Sequence, residues 1–214
     1  MNPVYFALIL FFAVRLFFFP GILSAQTKPD ALSAYRDGNY YDAVSICRAE
    51  MQTDSRNIES YVVLCWSLVK LKRFDEARSA VETALAMNPY DPRLVEIMGE
   101  ISYFQGRNGE ALKYFQEYIY LAPEGQRIDM TYYYCGEIYI RLGRFKHADI
   151  ALSTALHYVP ENALWQTRLA YARESSGELR QAAEAYEKAL TLDSQLADAR
   201  RGLDRVRAAL IQRQ

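Results

Sequence analysis

The stretch YYYCGEIYIRLGRFKHADIALSTALHYVP, residues 132–160, carries a pattern that recurs along the whole chain. An alanine recurs at intervals of 34, 34, 37 and 34 residues, at Ala43, Ala77, Ala111, Ala148 and Ala182. Five residues before each alanine stands a second column, formed by Gly38, Lys72, Gly106, Gly143 and Gly177. Twelve residues after three of the alanines stands a third column, formed by Pro89, Pro123 and Pro160. A period of this length predicts a solenoid of stacked helical pairs.

The three columns also predict where the helices of each pair begin and end. The first helix should end near the glycine, which adopts left-handed backbone easily, and the second should end before the proline, which cannot continue it. Apolar residues at helical intervals, as in FDEARSAVETALAMNP over residues 74–89, support the second helix. The alanine marks a close approach of two backbones, and neighbouring pairs must stack to bury their apolar faces.

On these residues the units resemble tetratricopeptide repeats. The fit is best in the fourth unit, which has the family's aromatic, glycine, tyrosine, alanine and proline residues in order, at Tyr132, Gly136, Tyr139, Ala148 and Pro160. The resemblance implies an all-α fold, an α-solenoid in which antiparallel helix pairs form a right-handed superhelix closed by a C-terminal capping helix. The units that it implies are a degenerate first repeat at 26–57, further repeats at 58–91, 92–125, 129–162 and 163–196, and a cap at 197–214.

Two departures from the repeat pattern carry expectations of their own. The first unit has Ser55 where the proline falls and Glu50 where other units have Ala or Tyr, so its first helix is expected to be short or frayed. Three extra residues at 126–128 precede the fourth unit. They predict either a longer loop or a longer first helix in that unit.

The N-terminal 25 residues, MNPVYFALILFFAVRLFFFPGILSA, are almost wholly apolar up to a Pro-Gly break. Small residues follow the break, which predicts a secretory signal peptide cleaved after Ala25. Arg15 lies inside the apolar run, and an uncleaved anchor over residues 4–23 stays open, since about 20 apolar residues span a bilayer. Both alternatives export residues 26–214, so we expect a periplasmic or secreted protein, or one that contacts the membrane only through this segment.

Charge and composition limit the classes of partner and of chemistry. A net charge of -1 gives no overall attraction to nucleic acid, and the arginine-rich C-terminal run is interpreted as a solvated helix face. His147 and His157 are ten residues apart, which places them poorly for one metal ion. No phosphate-binding glycine loop, nucleophile elbow or metalloprotease motif is present, so we expect no enzyme, no cofactor and no metal.

The three cysteines form no metal or redox motif. Cys65 and Cys135 fall in columns of small or apolar residues of the first helices, where they are expected to be buried fillers. Cys47 lies on the helix that should pack against the one carrying Cys65. A disulfide between these two residues is therefore left open as an alternative.

In the tetratricopeptide repeat family the first helices line a concave groove in which partners bind, and this resemblance supplies the candidate site. The candidate groove residues are Trp66, Val69, Glu96, Glu100, Tyr103, Phe104, Tyr133, Tyr134, Glu137, Arg141 and Tyr171. Aromatic rings around carboxylates suit a partner with apolar anchors and one or two basic residues. The alternative for each ring is packing against an adjacent unit. The Lys and Asn residues with which some members hold a C-terminal carboxylate are not found in these columns.

Two functions follow from this groove. The first is a non-catalytic scaffold or assembly adaptor of the cell envelope that binds a protein or peptide, with self-association a further mode left open. The second is a carrier of a small molecule or lipid that uses the same aromatic surface.

Overall fold

The computed structural model describes residues 30–212, in which the chain forms eleven α-helices and no strand. The predicted signal peptide or anchor at residues 1–25 lies outside these residues. The helices are α1 (Ala31–Arg36), α2 (Tyr40–Thr53), α3 (Ile58–Lys70), α4 (Phe74–Met87), α5 (Pro92–Phe104), α6 (Asn108–Leu121), α7 (Ile128–Arg141), α8 (Phe145–Tyr158), α9 (Ala163–Ser176), α10 (Leu179–Leu192) and α11 (Ala197–Gln212).

Consecutive helices pack as pairs, and the pairs stack on one another, so the predicted all-α solenoid is confirmed. Odd-numbered helices from α1 to α9 are the first helices of the pairs, and each of them also contacts the next first helix. The eleventh helix packs against both α9 and α10, where a capping helix is expected.

The glycine column ends the first helices as expected. Gly38, Gly106, Gly143 and Gly177 have φ between 67° and 88°, in the left-handed region where glycine meets no Cβ clash. In the second unit the same place is taken by Lys72, which has a φ of 59° and is the non-glycine residue with positive φ in residues 30–212. The backbone at Lys72 is therefore strained relative to its equivalents.

Small residues set the distance between helices inside each pair. The column alanines, Ala43 to Ala182, are fully buried. A Cβ added to Gly99 would lie 2.6 Å from the ring of Phe115, and one added to Gly136 would lie 2.5 Å from Leu152 Cγ. The bulky residue of the second helix thus occupies the space that glycine leaves on the first, which accounts for a small residue at this position.

The three extra residues before the fourth unit lengthen both the loop and the helix. Residues 122–127 separate α6 from α7, whereas four residues make each of the corresponding connections before α3, α5 and α9. The seventh helix begins one residue early, at Ile128, and has 14 residues. The loop is fixed by Tyr118, whose hydroxyl accepts a hydrogen bond of 3.1 Å from the backbone N–H of Arg127.

The first unit departs from the others where its sequence does. In the described residues α1 has only 6 residues, against 13 or 14 for the other first helices. Glu50 is accommodated because it accepts a 2.6 Å hydrogen bond from the hydroxyl of Ser60 on α3. This bond replaces the apolar contact that an alanine would make.

The cysteines Cys47, Cys65 and Cys135 are buried free thiols, so the Cys47–Cys65 disulfide is not formed. Burial raises the pKa of each thiol to about 12. Thiols that stay protonated are poor nucleophiles, which agrees with the role of core filler expected for Cys65 and Cys135. None of the helices within residues 30–212 has both the length and the apolar character needed to cross a bilayer.

Candidate functional site

The candidate site is the surface formed by the first helices, which we call the groove. The first helices lie side by side in chain order: each contacts the next from α1 to α9, and α9 contacts the capping helix α11. Side chains three or four residues apart on each helix therefore form rows that continue from one unit to the next. The predicted site residues lie in these rows.

Most of the predicted aromatic residues pack against neighbouring units. The ring of Trp66 lies 5.6 Å from that of Tyr35 on α1. Tyr133 stacks on Trp165 of the next unit at 5.0 Å, and Tyr103 lies 4.5 Å from Tyr134. Tyr133 also lies 5.9 Å from Tyr134, so the rings from Tyr103 to Trp165 form a continuous aromatic layer across the third to fifth units. The alternative of ring packing against an adjacent unit thus holds for these rings.

Five of the predicted residues are buried rather than open to a partner. Val69 and Tyr134 belong to the core, and Tyr134 is 7% exposed because it stacks on Phe115 at 5.6 Å. The other three buried residues are the carboxylates Glu96, Glu100 and Glu137. The residues of the predicted set that remain most open are Phe104, at 47% exposure, Tyr171, at 37%, and Arg141.

The groove carboxylates are paired with arginines of the same chain. Arg127 donates from Nε to Glu96 at 2.8 Å and from Nη2 to Glu100 at 3.1 Å. Arg168 makes a two-point contact with Glu137, with Nε to Oε1 at 2.6 Å and Nη2 to Oε2 at 2.9 Å. This corrects the expectation that the carboxylates are free to bind basic residues of a partner.

A further glutamate–arginine pair lies at the C-terminal end of the groove, between α9 and α11. Arg205 donates to both carboxylate oxygens of Glu174 at 2.9 Å, and Tyr186 donates to one of them at 2.6 Å. Burial alone would raise the pKa of Glu174, but the hydrogen bonds from Arg205 and Tyr186 lower it. In the pairs Glu96–Arg127, Glu137–Arg168 and Glu174–Arg205 the arginine follows the glutamate by 31 residues.

Glu96 is the most deeply buried of these carboxylates, with 1% exposure. Its Oε2 has no hydrogen-bond partner in the described part of the chain. Burial raises the pKa of Glu96 to about 7. The attraction of Arg127 opposes this rise, and the repulsion of Glu100 adds to it. Two carboxylates share one guanidinium here, so the group favours keeping one proton.

Arg141 packs against the aromatic layer through the ring of Tyr103. Its guanidinium carbon lies 4.0 Å from the centroid of the Tyr103 ring, which is a cation–π distance. Nη1 also donates to the backbone oxygen of Tyr103 at 3.4 Å. Arg141 remains exposed and can reach a partner bound over Tyr103 and Phe104.

A cavity of about 650 Å³ opens at the C-terminal end of the groove, between α9 and α11. Tyr133 and Tyr171 are predicted groove residues that line this cavity, but Leu164, Arg201 and Arg205 were not predicted. The arginines were missed because their run was interpreted as a solvated face. Their spacing from Asp198, at three and seven residues, already places these side chains on one side of a helix.

Neither histidine belongs to the groove. His147 and His157 are both exposed on α8, a second helix. Within residues 30–212 no three His, Cys, Asp or Glu side chains are grouped so that they could hold a metal ion.

Comparison with known proteins places the chain among repeat proteins. The sequence pattern of the tetratricopeptide repeat matches residues 64–125 and 136–197. A similar curated protein is BBSome complex member BBS4 of Bos taurus, 25% identical over 154 residues, which are 70% of this chain and 29% of that protein. Another is the Hsp70/Hsp90 co-chaperone cns1 of Schizosaccharomyces pombe, 28% identical over 88 residues, or 39% of this chain and 25% of that protein. The chain thus spans between a quarter and a third of these relatives.

Solved structures agree on the fold. A crystal structure of MamA has a TM-score of 0.67 with 17% identity, over 80% of this chain and 98% of that one. The crystal structure of the APC/C hetero-tetramer Cut9–Hcn1 has a TM-score of 0.71 with 20% identity, over 82% of this chain and 34% of that one.

Proposed function

The chain belongs to the tetratricopeptide repeat family, and on this premise we propose that it is a non-catalytic scaffold that binds a partner protein or peptide in its groove. Repeats of this kind typically serve as interaction modules, and no enzyme family is indicated by the comparisons. Each pair of helices contacts only its neighbours, which suits a long binding surface rather than an enclosed reaction site.

The observation that carries the proposal is the contrast between paired charges and open rings in the groove. Glu96, Glu100 and Glu137 are paired with arginines of the chain, whereas Phe104 and Tyr171 keep 47% and 37% of their surface exposed. Open aromatic side chains on a rigid surface supply contact area at low entropic cost. They are the kind of residue that dominates protein interfaces.

A role in the cell envelope is the finer part of the proposal. It is supported by the apolar N-terminal 25 residues, which suit an export signal or an anchor. Fractionation of cells that produce the full chain, with N-terminal sequencing of the product, tests it. Recovery of the uncleaved chain in the cytoplasm would contradict the envelope role but would leave the binding proposal standing.

Site-specific photo-cross-linking in cells tests the binding proposal. A benzoylphenylalanine in place of Tyr171 lies in the groove, whereas the same residue in place of Tyr120, which is 85% exposed, lies on a second helix. We expect one defined cross-linked protein from position 171 and none from position 120. Equal cross-linking from both positions would contradict the assignment of the groove.

A carrier of a small molecule or lipid is a second candidate function. The cavity of about 650 Å³ favours it, because ligand pockets usually measure about 300–1,000 Å³. Native mass spectrometry of gently purified full-length protein distinguishes the two functions. Only the carrier predicts a stoichiometric ligand that is lost in the Tyr171→Ala variant.

A further inference from the structure

The cavity at the C-terminal end of the groove has walls of unequal charge. Three arginines line it, Arg168 on α9 and Arg201 and Arg205 on α11. Among the described residues that line it, Asp198 is the single carboxylate. Glu137 and Glu174 hold two of these arginines but do not line the cavity. Their side chains are more deeply buried than those of the arginines that they hold.

The two buried glutamates fix the arginines in place without using all of their donors. Arg168 and Arg205 each bind their glutamate through Nε and Nη2. No acceptor for Nη1 of either residue is found among residues 30–212. Because a guanidinium is planar and rigid, the two occupied donors set the direction of the third.

Arg201 supplies a third cation that is easily redirected. It pairs with Asp198 one turn earlier on α11, and both side chains are largely exposed. Exposed pairs of this kind are weak because water screens them. An incoming carboxylate can therefore displace Asp198 from Arg201.

Most of the uncharged residues that line the cavity are apolar or aromatic. Leu164 is 62% exposed, which is unusual for a leucine on a first helix of this chain. Tyr171 lies about two turns further along the same face of α9. Tyr133, Tyr186, Leu196 and Ala197 add further apolar surface, and Thr167 and Gln195 are the uncharged polar residues of the lining. A single bulky apolar side chain placed between Leu164 and Tyr171 would be removed from water on both sides.

We propose that this cavity binds a short segment of a partner in which an Asp or Glu stands next to a bulky apolar residue. The inference rests on the proposed function and specifies the chemistry of the partner. The partner carboxylate accepts hydrogen bonds from Nη1 of Arg168 or Arg205 and from Arg201. The apolar side chain packs against Leu164 and Tyr171.

This partner chemistry is opposite in charge to the one expected from the sequence. Glu137 and Glu174 each hold an arginine by a two-point contact and do not line the cavity, so a basic partner would meet the arginines first. An acidic partner can use the Nη1 donors of Arg168 and Arg205, because both residues line the cavity and hold their glutamates through Nε and Nη2. Charge-assisted bonds of this type favour carboxylate recognition by arginine.

The test is selection of displayed random twelve-residue peptides on the immobilised full chain, followed by affinity measurement with the selected peptides. The variant Arg201→Ala/Tyr171→Ala removes one cation and one ring from the cavity. The variant Arg207→Ala/Tyr120→Ala is its matched control, because Arg207 pairs with Glu187 on α10 and Tyr120 lies on α6. Circular dichroism of both variants checks that the helices are retained.

We expect selected peptides to carry Asp or Glu beside Leu, Phe or Trp. We expect their Kd to rise about tenfold or more in the cavity variant and to stay within about twofold in the control. Selected peptides that are basic, or that bind the cavity variant unchanged, would overturn this inference while leaving the proposed function in place. Failure of the wild-type chain to select any peptide would contradict both.

Discussion

Arg127 Nε lies 2.8 Å from Glu96 Oε1, across the boundary between the third and fourth units. The same guanidinium reaches Glu100 at 3.1 Å, and Tyr134 donates to the other oxygen of Glu100 at 3.0 Å. One arginine from the extended loop thus pairs with both carboxylates at the centre of the groove. The repeat pattern does not require the extra residues 126–128, but they supply this cation.

Replacing Arg127 by methionine should destabilise the protein strongly. The change keeps an apolar stem but leaves two buried carboxylates without their cation, and breaking a buried ion pair in this way costs about 3–5 kcal/mol. Urea denaturation measures the loss of unfolding free energy. The exposed Arg144→Met change is the control and should alter stability by less than about 0.5 kcal/mol.

Glu96 should make stability depend on pH. Its pKa is raised from 4.5 to about 7, so the folded chain binds more protons than the unfolded chain between these values. Protonated Glu96 therefore stabilises the fold fully below about pH 4.5, and this contribution is lost as the pH rises through 7. The contribution to the unfolding free energy is on the order of 3 kcal/mol.

The Glu96→Gln variant isolates this effect. The difference in unfolding free energy, wild type minus variant, should fall as the pH rises from 4.5 to 7. Glu124→Gln removes a carboxylate from the exposed loop and serves as the control. A wild-type and Glu96→Gln difference that stays constant over this range would contradict the raised pKa.

Two glycines should respond in opposite directions to the same substitution. Gly136→Ala places a Cβ 2.5 Å from Leu152 Cγ and should cost about 1–3 kcal/mol through overpacking. Gly109→Ala meets nothing within 4 Å in the first turn of α6 and should stabilise the helix by up to about 1 kcal/mol. Thermal and urea unfolding of both variants measure the contrast, and a stabilising Gly136→Ala would refute the close packing.

Lys72→Gly should stabilise the chain. Lys72 has a φ of 59° where the other units have glycine, and a left-handed non-glycine residue costs about 1–2 kcal/mol. The reciprocal change, Gly143→Ala at a φ of 67°, should destabilise by about 1 kcal/mol. Equal stabilities of Lys72→Gly and wild type would mean that the lysine backbone is not strained.

The sequence was sufficient for the fold because the repeat columns correspond to local requirements. Glycine at positive φ, alanine between helices and proline after a helix each answer one backbone or packing constraint. The periodic pattern therefore predicted the helix pairs, and the resemblance to tetratricopeptide repeats predicted the cap.

The candidate site was predicted less well, because its properties depend on contacts between units. Alignment of the repeats assigned Glu137 to the groove side, but its partner Arg168 stands 31 residues later and on another helix. Whether a ring such as Tyr134 is open or buried depends on Phe115 of the preceding unit. Neither relation appears in the periodicity of a single helix.

The most direct test of the central claim is the affinity for the partner identified by cross-linking from position 171. Isothermal titration calorimetry compares the wild-type chain with Phe104→Ala/Tyr171→Ala in the groove and with Tyr41→Ala/Tyr120→Ala on the second helices. If the groove binds the partner through its open rings, Kd should rise about tenfold or more for the first variant and stay unchanged for the second. An unchanged affinity of the groove variant would contradict the account.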